Sequence, residues 1–77
     1  MEVDKIAELI KNPRELRFKE IETILYNYGY VLINSKGSHF RFKKKQFSPI
    51  TIVVHSNKVK KWYVKDMCKI LLAQLIS

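Results

Sequence analysis

Lys36-Gly37-Ser38-His39-Phe40-Arg41-Phe42 decides how this chain is read. A glycine turn leads straight into a short alternating run. Alternation along a strand puts His39, Arg41 and Lys43 on one face, and Phe40 and Phe42 on the other. With the phenylalanines turned to a core, the histidine stands outward between cations. Imidazole is the side chain whose charge changes near neutral pH. Set among phosphate-attracting charges, it points to chemistry on a polyanion.

Working outward, residues 30–55 read as three strands of an antiparallel meander, because the loops between them are short. Tyr30 to Asn34 is the first, and Ser35-Lys36-Gly37 is its turn. Ser38 to Lys44 is the second. Lys45-Gln46-Phe47-Ser48-Pro49 forms a looser hairpin loop. Ile50 to His55 is the third, with Ile50, Ile52 and Val54 on one face and Thr51, Val53 and His55 on the other. Ser56-Asn57-Lys58 is expected to end the sheet.

Helical spacing governs the flanks. Val3, Ile6, Leu9 and Ile10 predict a short amphipathic helix over 3–11. Asn12-Pro13 interrupts it, and Pro13 is placed to open the next helix. That helix is expected from about residue 14 or 18 to Tyr28, with Phe18, Ile21, Ile24, Leu25 and Tyr28 inward and Gly29 as its left-handed stop. A last helix at about 63–76 buries Val64, Met67, Cys68, Leu71 and Leu75. Lys60, Lys61, Lys65 and Lys69 flank it, and Trp62 and Tyr63 are expected to seat it on the sheet; the alternative is that these two and Phe47 stack on bases. The result is an α+β fold, order α-α-β-β-β-α, with helices on one face of a three-stranded sheet and the other face open.

Seventy-seven residues make one domain, 1–77. A chain of this size buries roughly 60% of its unfolded surface. The net charge of +8 is unevenly placed. Residues 1–29 hold five Lys/Arg against six Asp/Glu, a net of −1; residues 30–77 hold ten against Asp66 alone, a net of +9. The whole excess therefore surrounds the glycine-histidine turn, and the expected partner is a nucleic acid rather than a membrane. No run approaches the ~20 apolar residues of a spanning helix. Met1-Glu2-Val3-Asp4 shows no signal pattern, and one cysteine, Cys68, forms no intramolecular disulfide, so a cytoplasmic location is expected.

Elimination narrows the chemistry. Gly29 and Gly37 are the only glycines, so there is no glycine-rich phosphate loop. Two histidines and a cysteine at unrelated spacings make no metal site, and Ser38-His39 points to opposite faces, so it is no triad. Metal-free cleavage of RNA remains, since the 2′-hydroxyl is a nucleophile already beside the phosphorus. It needs a base, an acid and cations on the phosphate. His39 is the natural base or acid, with Arg41, Lys43 and Lys36 to hold phosphate. The residues alone leave two alternatives open: His39 as an ordinary surface histidine, and His55 as a loop cap. They equally admit a non-catalytic RNA-binding module, or a basic face that meets an acidic protein.

The runs Tyr28-Gly29-Tyr30, Ser35-Lys36-Gly37-Ser38-His39-Phe40 and Ile50-Thr51-Ile52-Val53-Val54-His55 resemble the HicA (YcfA-like) mRNA interferase toxins. Asn57-Lys58-Val59-Lys60 with Trp62-Tyr63-Val64-Lys65 is similar to one branch of that family. The resemblance spans about residues 6–76. It implies a double-stranded-RNA-binding-domain-like fold, endoribonuclease activity on mRNA within a type II toxin–antitoxin system, and a HicB-like antitoxin that blocks the active site. The family's catalytic histidine falls on His39 and its strand-three histidine on His55. The expected RNA-contacting set is Lys36, Gly37, Ser38, Arg41, Lys43 and His55. No metal, cofactor or small-molecule ligand is expected. The chain departs from the family where many members carry Gly-Thr at the start of the last helix, here Trp62-Tyr63, and at Phe40, where histidine or tyrosine is common.

Overall fold

The computed structural model describes residues 3–76. Helix α1 spans Val3–Lys11, strand β1 Leu16–Arg17, helix α2 Phe18–Asn27, strand β2 Val31–Lys36 and strand β3 His39–Lys43. Strand β4 spans Ile50–Val53, strand β5 Lys58–Val59 and helix α3 Lys61–Ile76. The expected α+β order stands, with two short strands added. Strands β2, β3 and β4 form an antiparallel sheet in that order, and β1 pairs with β5 in a second, two-stranded one.

The sheet's inner face is built on Phe42, Ile50 and Ile52, all buried. Helix α2 covers it through aromatic contacts. Its Phe18 ring lies 4.5 Å from Phe40 and 6.3 Å from Phe42, and Tyr26 lies 6.2 Å from Phe42. Helix α1 packs against α3. Ile6 and Leu9 from one, and Val64, Met67, Cys68 and Leu71 from the other, are fully or almost fully buried. Val3 and Leu75, expected inside, are 48% and 46% exposed, since each lies near a helix end where the apolar stripe runs past its partner.

Gly29 ends α2 with φ +90°. Tyr30 N–H donates to the Leu25 carbonyl at 2.9 Å and Gly29 N–H to the Tyr26 carbonyl at 3.1 Å, the paired bonds of a Schellman stop. Tyr30 then turns inward, and its hydroxyl accepts from Gln74 of α3 at 2.7 Å.

Several boundaries differ from the sequence reading, three of them in ways that shape the fold. Pro13 does not open a helix: residues 13–15 are irregular, and Leu16–Arg17 is extended because Leu16 pairs with Val59 and is buried. The three-stranded sheet does end ahead of Ser56-Asn57-Lys58, its last strand stopping at Val53, but backbone pairing continues through that segment. His55 and Lys58 exchange both backbone hydrogen bonds at 2.9 Å, with Ser56 and Asn57 at φ +51° and +64°. Positive φ at both central residues is the type I′ pattern, which twists the chain into β5. Phe18 N–H, at the start of α2, donates to the Asn57 carbonyl of that turn at 2.8 Å. Finally, β2 runs through Lys36, so the first hairpin turn is Gly37-Ser38.

Candidate nucleic-acid interface

The hairpin turn fixes the site. Gly37 has φ +58° and Ser38 is not in the positive-φ region, so glycine leads a two-residue turn as in type II′. A turn this short dictates register: Lys36 stands directly opposite His39. Cβ atoms of such opposed pairs are about 5 Å apart. Beyond His39, on β4, lies Val53. The next outward row is Asn34, Arg41 and Thr51, and the next joins Val31 to Lys43. His39, Arg41, Lys36, Asn34 and Thr51 are all exposed, so the sheet's outer face is open as expected.

Asn34 and Thr51 flank Arg41, and the sequence reading did not single them out. Counting back from the two-residue turn would have found Asn34. Farther along, a bulge at Leu32/Asn34 shifts the register, so parity alone fails for Val31 and Leu32.

His55 lies one residue past Val54, whose N–H donates to the Ser38 carbonyl at 2.8 Å. That bond carries the β3–β4 ladder past the strand end and leaves His55 diagonal to His39. Its backbone is locked by the β4–β5 turn and its side chain is exposed.

The cations divide into two groups. Lys43 is half-buried and donates to the Phe47 carbonyl of the β3–β4 loop. Lys44 donates to Gln74 Oε1 at 3.0 Å and sits 4.9 Å from the Phe47 ring centroid and 5.8 Å from that of Tyr30. Both hold structure. By contrast, no hydrogen bond or ion pair among the described residues engages the side chains of Lys36, His39 or Arg41. Gly37 and the half-buried Ser38 contribute the turn's backbone at the same end of the sheet.

The surface groove lined by Tyr30, Phe47, Pro49, Ile70 and Ala73 lies by the β3–β4 loop, at the far end of β3 from His39. The His39 face is open, which suits a polymer better than a small molecule. Cys68 is fully buried, and desolvation pushes its thiol up to about 11, so it is no nucleophile. Among the described residues, no three His, Cys, Asp or Glu side chains gather into a metal-holding group. None of their helices is long and apolar enough to cross a membrane.

A family model, described as the HicA toxin of bacterial toxin-antitoxin systems, matches residues 18–72. The match covers the whole three-stranded sheet and the Gly37-Ser38-His39 turn, and leaves α1 and β1 outside it. No curated protein and no solved structure matches the chain.

Proposed function

We propose that this chain, which belongs to the HicA toxin family of bacterial toxin–antitoxin systems, is an endoribonuclease toxin that cleaves mRNA with His39 as its proton-transfer group. The observation that carries the reading is the pairing of Lys36 and His39 across the Gly37-Ser38 turn, with Arg41 next along the same open face.

The reaction is an in-line displacement. The ribose O2′ loses its proton and bonds to phosphorus; the P–O5′ bond breaks, and O5′ takes up a proton. A 2′,3′-cyclic phosphate and a 5′-hydroxyl result. His39 either accepts the first proton or donates the last. Lys36 and Arg41 neutralise the phosphate oxygens, whose charge grows as the fifth bond forms. Gly37, Ser38 and His55, at the turn end, line the RNA path, and Lys43, though its ammonium is tied to the loop, adds positive charge along the same face. The ribose supplies the nucleophile, so the mechanism requires no metal. A HicB-like antitoxin that covers this face would exclude RNA from it.

Expression without an antitoxin tests the reading in cells. The wild-type chain should arrest growth and accelerate mRNA decay, and His39→Ala should do neither. Arrest by both proteins with equal mRNA lifetimes would contradict it. RNA binding with no cleavage by the wild type would assign the chain instead as a non-catalytic RNA-binding module.

A further inference from the structure

We propose that Trp62 is a stacking platform for an unpaired RNA base, so that the substrate is held as a single strand at the start of α3. The proposal rests on RNA being the ligand of the His39 face, and names the form of RNA that it takes.

Trp62 is 53% exposed, whereas Val64, Met67, Cys68 and Leu71 bury the opposite side of α3. Tyr63 is half-buried and packs on the core, so Tyr63 seats the helix and Trp62 does not. Lys60 Nζ lies 5.2 Å from the Trp62 ring centroid. Lys65, Asp66 and Lys69, three, four and seven residues on, share its side of the helix, two cations against one acid. The first turn of α3 contains no acidic residue, and Asp66 is the one acid of this half of the chain. An exposed ring with the Lys60 ammonium against it, on a helix side of net positive charge, is matched by a ligand with a π-face and phosphates together, which a nucleotide provides. Duplex bases are already stacked, so the ligand is an unpaired strand.

Chain connectivity joins this patch to the proposed site. Val54, just past the end of β4, donates its N–H to the Ser38 carbonyl, beside His39. From His55 the chain passes through the I′ turn and β5 to Trp62 in seven residues, a span of at most about 25 Å. A short oligonucleotide bridges that span.

Trp62 is the only tryptophan, so its emission reports directly on this contact. The probes are a single-stranded 2′-O-methyl RNA, which has no 2′-hydroxyl to attack, the same strand annealed to its complement, and polyphosphate at equal phosphate concentration. The single strand should quench the emission, the duplex less, and polyphosphate not at all. Trp62→Ala should weaken single-strand binding roughly ten- to a hundredfold, and Trp62→Phe should restore most of it. Circular dichroism of both variants checks that the fold persists. Binding detected by anisotropy with unchanged Trp62 emission would overturn the proposal. So would equal quenching by polyphosphate, or quenching by an acidic protein partner but not by RNA. The assay involves no cleavage. A chain that shows the quenching yet never cleaves RNA refutes the enzyme reading and keeps this one. A chain that cleaves with Trp62 silent does the reverse.

Discussion

At the scale of single residues, the site depends on one backbone torsion. Gly37 sits at φ +58°, and a Cβ added there would meet nothing within 4 Å. Substitution therefore costs backbone strain alone, about 1–2 kcal/mol for a residue that dislikes the left-handed region. Asparagine tolerates that region and valine does not. Gly37→Asn should keep its urea midpoint nearly unchanged and retain cleavage. Gly37→Val should lose about 1–2 kcal/mol and cleave poorly, because the turn no longer holds Lys36 opposite His39. Equal midpoints for the two variants would show that the turn is not under this constraint. Cys68 gives a second prediction. Its thiol is held protonated by burial, at about 11 against an ordinary 9.0. A raised folded-state value means that the stabilisation is complete below pH 9 and is lost as pH rises through about 11. Thiol reagents at pH 8 should leave the folded protein unmodified and label it only on unfolding. Rapid labelling of the native chain would contradict the buried placement.

At the scale of elements, the alternation that singled out His39 was legible because the strand is half-buried. Phe40 and Phe42 face α2, so polar residues are forced outward. Gly29 was legible for a similar reason, since a left-handed residue after a helical stripe has few other uses. The β1–β5 clasp was not legible. Two-residue strands have no periodicity to read, and their pairing joins Leu16 to Val59 across 43 positions. Of the two starts expected for α2, the one at Phe18 holds and the one beside Pro13 does not, because burial of Leu16 in that clasp outweighs proline's local preference. Helix α1 lies outside the family match yet contributes Ile6 and Leu9 to the core against α3. Leu9→Ala should destabilise by about 2–5 kcal/mol. In a domain of this size each kcal/mol lowers Tm by about 4–8 °C, so calorimetry reads the effect easily. A shift under one or two degrees would mean that α1 is not integral to the fold.

At the scale of the whole molecule, the positive excess, a net +9 over residues 30–77, lies on the half that carries the sheet, the β4–β5 turn and α3. The charge split identified that half from sequence alone. It did not separate Lys43 and Lys44, which hold the β3–β4 loop and α3, from Lys36 and Arg41, because all four look alike until the loop carbonyl and Gln74 are in place. RNA affinity should therefore fall steeply with salt, and each phosphate contact that is removed should lower the log–log slope by about 0.7 for a single strand. Lys36→Ala and Arg41→Ala should each lower it by that amount, and Lys44→Ala should affect stability more than slope. The most direct test of the account is cleavage in vitro. A single-stranded RNA and its 2′-deoxy counterpart are incubated with wild type and with His39→Ala, in EDTA. The wild type should cleave only the RNA, leaving a 2′,3′-cyclic phosphate, while His39→Ala binds the RNA without cutting it. Cleavage of the deoxy strand, loss of activity in EDTA, or full activity of His39→Ala would contradict the account.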